Sequence, residues 1–404
     1  MSFNFKKTAA AGAAIILAAS MCGCSDSGYI GTINGVQYRT GVYLSALITA
    51  AGNAQTEVSD VRKEAGDTSE VQDIFAETID GKNANDWIKE EALKSLKRNA
   101  AVEKLFADNG LTLTEEERSG INAQINSLWN DENIYAKYLY NFDTMGEYYE
   151  SIGIGKESLR EIYLNNTKQE DLFMHYYDTD GVKPVTEEEF NKQLTDTRAV
   201  VKYIELPFED KYGIDLKEDS EKQAVKDKAA DYVSRLNSGT DFTEIQYEHD
   251  LAEAQNKAAV DAEEKYNELS NSETEEAPAD YDKYIQDAID AATATKHESA
   301  DELDVVISKA SSTLSEELTE FIWAAAADGK AVTFETDASI YVVVREDITT
   351  KTTWKEDNKS TILHEIKGDE FDAEIDAAAA DFAVSLDSYL VDTKYAPNKI
   401  KGIN

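Results

Sequence analysis

Between Asp86 and Trp129 the sequence lays down two amphipathic stretches that cannot both stay in water, and any fold for this chain has to cover them. In the first, Ile88, Ala92, Leu96, Val102 and Phe106 fall on one arc at the ~100° per residue of an α-helix. Trp87, Leu93 and Leu105 flank that arc, so this helix is expected to touch neighbours on more than one side. Asn109-Gly110 ends it, because glycine accepts the left-handed conformation that a helix C-terminus uses. The second opens with Thr114-Glu-Glu-Glu117, where the threonine hydroxyl caps a free amide and Glu117 reaches back, and continues through Ile121, Ile125, Leu128 and Trp129. Together they read as a helical hairpin. It needs further helices to bury its stripes, and periodicity alone does not separate it from the core hairpin of any helical protein.

Met1 to Cys24 reads as a targeting segment. Lys6 and Lys7 give it a positive start, and the apolar core from Ala9 to Ala19 is too short for a permanent membrane span. Met21-Cys22-Gly23-Cys24 resembles a bacterial lipoprotein cleavage box, with Ser25-Asp26-Ser27-Gly28 as the tether. The resemblance implies a lipid on Cys24 and an anchored, exported protein; a plain signal peptide cut elsewhere is the alternative. Both cysteines lie in this segment, so the remainder has no disulfide, no thiol catalyst and no cysteine metal site. No later run is apolar enough to span a membrane.

The chain is 42% hydrophobic with only 4 prolines, which suits a helix-rich fold, and the length beyond Cys24 allows two or three domains. The net charge of −40 argues against nucleic acid and against an anionic membrane surface as partners. It weakly favours basic clients or loosely held divalent cations, although a heavily solvated surface is the plainer reading.

Taken in order, Tyr29 to Ile33 and Val36 to Tyr38 flank Asn34-Gly35, a strong two-residue hairpin signal. Thr40 can cap a helix through Val42, Leu44 and Ile48; a loop follows, with a short helix around Val71 to Ile79. Residues 129–149 are rich in aromatics, Gly153 to Gly155 breaks the chain, and Ser158 to Tyr177 is another long helix. Ala199 to Leu206 alternates like a strand. Ser220 to Leu236 is a helix, and Gly239-Thr-Asp241-Phe-Thr-Glu244 is a second capping box. Asp250 to Glu302 is alanine- and acid-rich, a solvated helical excursion. A helix over Thr313 to Ala327, strands over Ala331 to Phe334 and Ser339 to Val344, and helix over residues 354–391 complete the reading.

The order of these pieces resembles the SurA and PrsA chaperone-foldase family. The resemblance is carried by Asp86-Trp-Ile-Lys-Glu-Glu-Ala-Leu, Leu111-Thr-Leu-Thr-Glu-Glu-Glu117, Ile152-Gly-Ile-Gly-Lys-Glu-Ser-Leu159, Pro184-Val-Thr-Glu-Glu-Glu-Phe190, and Glu370-Phe371 with Tyr395-Ala-Pro397-Asn-Lys-Ile400. It implies an α+β, mostly helical fold: a chaperone domain over 25–195, closed by a C-terminal helix and tail over 350–404. Between them, 196–349 would be an inserted α/β domain of the parvulin type, since strand, helices, strands is the parvulin order; residues 250–302 would be an acidic insertion within it. Residues 1–24 are the signal segment.

A parvulin lowers the ~18–20 kcal/mol barrier to rotation about an X-Pro bond without a cofactor, using an apolar proline pocket and a polar network around two histidines. At the equivalent positions this chain has Tyr203, after Lys202, and Tyr341 or its neighbour Ile340. The Gly-Gly-Asp-Leu-Gly segment of the family is absent, and His175, His249, His297 and His364 lie elsewhere. Tyrosine cannot titrate near neutrality as histidine does, so activity is expected to be weak or lost and no catalytic residue is assigned. The plainer reading of both tyrosines is strand residues packing a sheet.

Other motifs fail. Gly153-Ile-Gly155-Lys156 lacks phosphate-loop spacing, which leaves no nucleotide site. The stretch Tyr176 to Glu187 has tyrosine at the first calcium-ligand position, and the glutamate clusters sit at helix starts, where the macrodipole favours them. No metal and no cofactor is expected. The resulting expectation is an exported, lipid-anchored, ATP-independent chaperone or foldase that binds unfolded secreted polypeptides, with Trp129, Tyr135, Tyr138 and Tyr148 as candidate client-binding residues, although plain core packing would equally use them. An active peptidyl-prolyl isomerase and a surface scaffolding lipoprotein are the alternatives. A solute-binding lipoprotein lacks support, because no long alternation of strand and helix is present.

Overall fold

The computed structural model describes residues 28–272, 277–310 and 312–400. The proposed signal segment and Cys24 therefore lie outside the described residues. In chain order the elements are β1 (Tyr29–Ile33), β2 (Val36–Arg39), α1 (Thr40–Glu64), β3 (Thr78–Ile79), β4 (Lys82–Asn83), α2 (Ala84–Asp108), α3 (Glu115–Asn130), α4 (Met145–Ser151) and α5 (Lys156–Tyr177). There follow α6 (Glu187–Thr197), β5 (Arg198–Pro207), α7 (Asp219–Asn237), α8 (Phe242–Ser270), α9 (Tyr281–Ala291), β6 (Val305–Ser308), α10 (Glu316–Ala324), β7 (Ala331–Glu335), β8 (Ser339–Glu346), α11 (Thr352–Asp357), α12 (Lys359–Ala379) and β9 (Val384–Leu386). Two compact units result. One joins the chain up to Val185 with the chain from Leu363 onward; the other is Thr186–Ile362.

The first unit is mostly helical. The arc of α2 is buried as its periodicity predicts, at Ile88, Ala92, Leu96, Val102 and Phe106, and the Thr114–Glu117 capping box starts α3. The expected hairpin does not close on itself, however. Helix α2 packs on α1 and α5, while α3 packs on α4 and α5, so α5 is their shared partner. Ile121 and Ile125 of α3 meet Leu159 of α5. From the C-terminal segment, α12 brings Phe371 edge-on to Phe173 at 5.3 Å between ring centroids, and Asp372 and Asp376 pair with Arg98 of α2.

Two sequence expectations change here. The short helix around Val71 to Ile79 is a single 3-10 turn at Ile74–Ala76 followed by the β3–β4 hairpin. The helix expected over residues 354–391 is broken into α11 and α12, ends at Ala379, and gives way to β9. β9 pairs antiparallel with β1 (Gly31↔Leu386, Thr32↔Ser385, Ile33↔Val384), and β1 also pairs with β2. The physical reason is a close approach. A Cβ built on Gly31, whose φ is +141°, would lie 2.3 Å from the Ser385 carbonyl oxygen, so only glycine lets the two strands meet.

The second unit is built on a four-stranded antiparallel sheet in the order β6-β5-β8-β7. Alternation sorts β5 and β8 into two apolar faces. Ile204, Leu206, Ile340, Val342 and Val344 pack against α7 and α8 through Ala229, Tyr232, Phe242 and Ile245. Val201 and Val343 pack against Leu318 and Ile322 of α10. Strand β6 was not foreseen: Val305-Val-Ile-Ser308 is short and follows the polar excursion that dominates its neighbourhood in sequence. The excursion itself is the long α8 and the shorter α9. The cap of α8 is Asp241 alone, accepting from the Thr243 amide, rather than a full capping box.

Candidate functional site

The aromatic stretch after α3 divides into an inner and an outer layer. The inner layer is packing. Trp129 sits against Gly146, where an added Cβ would fall 2.8 Å from the indole, and its Nε1 donates to Glu150 at 3.3 Å. Tyr148 stacks on Tyr140 at 3.9 Å, and burial, followed by the neighbouring tyrosines, pushes its hydroxyl up to about 12. Two of the four candidate client-binding residues, Trp129 and Tyr148, are thus half-buried in the first unit.

The outer layer is held out by a rigid turn. The Asn133 side-chain oxygen accepts from the amides of Tyr135 (2.9 Å) and Ala136 (3.0 Å), and the Asn133 amide donates to the Asp143 carbonyl at 2.9 Å. One π-helical turn over Ala136–Tyr140 follows, closed by Asn141 in the left-handed conformation. Ala136 is fully buried and pins the turn. Most of what points to solvent is apolar: Ile134, Tyr135 (69% exposed), Tyr138 (80% exposed) and Leu139, with Lys137 the one charged side chain among them, paired to Asp143 at 3.7 Å. Four large side chains held in the open by a hydrogen-bonded turn form the kind of patch that marks an interaction surface.

In the second unit, Tyr203 and Tyr341 lie diagonally on one sheet face, with ring centroids 6.4 Å apart. The Tyr341 hydroxyl donates to Glu205 Oε1 at 2.8 Å, and Ser339 Oγ donates to the same oxygen at 2.7 Å. Burial, reinforced by Glu205, pushes Tyr341 up to about 12, so the phenol stays protonated at neutral pH. Phe334 lies 6.3 Å from Tyr341 and stacks on Phe321 of α10. The face holds three hydroxyls and a carboxylate; none of the four histidines is on this sheet.

The opposite face carries a feature that motif reading passed over. Lys202 is 2% exposed, and its Nζ lies 2.5 Å from Glu346 and 2.7 Å from Asp304. The contact with Asp304 is an ion pair in distance but is too poorly aligned to count as a hydrogen bond. Lys351 Nζ reaches Asp301 (2.8 Å), Asp304 (2.8 Å) and Glu346 (2.6 Å). The three carboxylates are close enough together to hold a metal ion, but two ammonium groups already occupy the space between them. Burial alone would lower the Lys351 pKa; its three hydrogen bonds outweigh that and raise it. Burial would likewise raise Glu346, and the two lysines hold it below the usual glutamate range. A lone lysine at an inward position of an apolar strand was the available signal; its partners, distant in sequence, were not.

Among the described residues no helix is long and apolar enough to cross a membrane. No family model matches the sequence, and no curated protein does. Among solved structures the chain is similar to PrsA from Bacillus subtilis, at 11% identity over 72% of this chain and 83% of that one, with a TM-score of 0.25. It is also similar to the foldase protein PrsA from Streptococcus pneumoniae, at 15% identity over 76% of this chain and 90% of that one, with a TM-score of 0.29.

Proposed function

We propose that this protein is an exported, lipid-anchored chaperone of the foldase type that holds unfolded polypeptides without ATP. The observation that carries this reading is the fixed apolar turn of Ile134, Tyr135, Tyr138 and Leu139, open to solvent on a well-packed helical unit. An unfolded chain exposes apolar side chains at irregular intervals, and a rigid patch can cover them at little ordering cost of its own. Tyr135→Ser with Tyr138→Ser is expected to weaken client binding by roughly tenfold or more, since burying one such side chain is worth about 1.5–3 kcal/mol. Aggregation of a denatured client followed by light scattering reads the loss. Far-ultraviolet circular dichroism should be unchanged, because neither side chain is packed. A double variant that suppresses aggregation as well as the parent would sink the proposal.

Isomerase activity is proposed to be weak or lost. The Tyr203–Tyr341 face supports this, being packed by Phe334 and α10 and holding no imidazole. A proline-peptide assay on the full chain is expected to show little rate above background; turnover orders of magnitude faster would favour the isomerase reading instead. The anchor is proposed to be Cys24, and Cys24→Ser should abolish incorporation of a labelled fatty acid into the protein.

A further inference from the structure

A second aromatic surface lies in the unit Thr186–Ile362, away from the tyrosine pair of its sheet. After β5 the chain forms a short hairpin closed by a Glu209–Asp215 bridge. At its tip, Asp210 Oδ1 accepts from the amides of Tyr212 (2.8 Å) and Ile214 (3.0 Å). That fixed tip turns Tyr212 (53% exposed) and Ile214 (59% exposed) outward. It is tied to α8 through Glu263, which accepts from Lys211 Nζ and from the Tyr212 hydroxyl, each at 2.6 Å. Further along α8, Tyr266 meets Tyr281 of α9 edge-on at 4.8 Å and Tyr284 at 5.9 Å. Glu263 and Tyr266 are one turn apart on α8, so the hairpin tip and the α8–α9 rings lie side by side.

The electrostatic setting of these rings is one-sided. Residues 250–302 hold 16 acidic and 4 basic side chains. Glu264 and Asp282, next in sequence to Glu263 and Tyr281, have no lysine or arginine partner among the described residues. Lys211 already covers the Tyr212 ring at 4.8 Å, so this surface accepts a cation over an aromatic face within its own structure. A guanidinium group stacks on tyrosine and pairs with carboxylates at once. An acidic segment, an anionic membrane or a second copy of a chain of net charge −40 would instead meet like charge.

We propose that the surface of Tyr212, Ile214, Tyr266, Tyr281 and Tyr284 docks cationic, arginine-rich segments of extended polypeptides. This deepens the chaperone reading by naming the client chemistry of a separate surface, and it rests on that reading only for its biological use. Tyrosine suits the task, because it offers a large flat contact at low side-chain entropy. Carboxylates around the rings raise the local concentration of basic segments without fixing their sequence.

The test uses the full chain and a fluorescent peptide of arginine, serine and glycine, read by anisotropy, with a glutamate-for-arginine peptide as control. The arginine peptide is expected to bind at least about tenfold more tightly than its acidic counterpart and to weaken several-fold between about 0.05 and about 0.3 M salt. Tyr212→Ser with Tyr281→Ser should cost about tenfold in affinity with an unchanged thermal melt. Should that pair unsettle the hairpin, Glu264→Lys with Asp282→Lys changes only solvated groups and should cost about as much. Tyr135→Ser with Tyr138→Ser should leave arginine-peptide binding within about twofold while impairing client holding. Equal binding of both peptides would overturn the proposal, as would full affinity in the tyrosine variant, which would mean diffuse charge alone. Loss of arginine-peptide binding on changing Tyr135 and Tyr138 would also overturn it, yet would leave the chaperone reading standing. A parent chain that binds the arginine peptide but suppresses no aggregation would do the reverse.

Discussion

Replacing Lys202 by alanine is expected to destabilise the unit Thr186–Ile362 by about 2–4 kcal/mol, because it leaves half-buried carboxylates short of a counter-charge and a gap where an enclosed side chain lay. Lys202 is almost wholly enclosed, and it joins Glu346 at the end of β8 to Asp304 just before β6. Removing it leaves three carboxylates facing one ammonium, that of Lys351. The control is Lys202→Met combined with Asp304→Asn, which removes a charge of each sign and should recover much of the loss. Urea unfolding followed by Trp323 and Trp354 fluorescence, both in this unit, measures the difference. A cost below about 1 kcal/mol would show that water already reaches the network.

The same network sets a pH window. Glu346 titrates lower when folded than when unfolded, so its contribution is present above the ordinary glutamate range and is lost as pH falls through the depressed folded value. Lys351 titrates higher when folded, so its contribution is complete below the ordinary lysine value and is lost as pH rises through the raised one. From these groups stability should be flat between about pH 5 and about pH 10 and fall on either side.

Gly31→Val is the second substitution with a large expected effect. The new side chain would need the space of the Ser385 carbonyl at 2.3 Å and of the Leu386 Cα at 2.6 Å, both backbone atoms that cannot rotate away. The β1–β9 pairing should therefore open, at a cost of about 2–4 kcal/mol. The released segment is identifiable: the amide of Asp387, which donates to Ile30, and that of Asn34, which donates to Ala383, should both lose protection from hydrogen exchange. Unchanged protection at both would mean that the strand finds another path along the sheet.

What could be read from the sequence was whatever its nearest neighbours decide. Asn34-Gly35 forms its turn, with positive φ at both residues, because the two positions suffice to define it. The box at Thr114 closes over three residues, whereas the one expected at Asp241 forms only its first half. The alternation in β5 and β8 sorts their faces without help from elsewhere. What stayed hidden depends on partners far along the chain. Val384-Ser-Leu386 continues a helical pattern of apolar residues and becomes a strand only because Gly31 leaves room for it. Of the aromatic stretch, Trp129 and Tyr148 could not be told from Tyr135 and Tyr138 by composition; the Asn133 and Asn141 geometry that separates them is a matter of backbone bonds. Lys202 stands out in the sequence only as a neighbour of Tyr203, since nothing local names Asp304 or Glu346 as its partners.

The seam between β1 and β9 fixes an order of assembly. A ribosome delivers Tyr29–Ile33 well before Val384–Leu386, so while the chain between them is made β1 presents an unsatisfied edge on the side that β9 will fill. Thr186–Ile362 is contiguous and can settle as soon as it is complete, whereas the body that embraces it in sequence must wait and then join two distant ends across a wide loop. The edge of β1 is thus sealed only after everything between the two strands has left the ribosome.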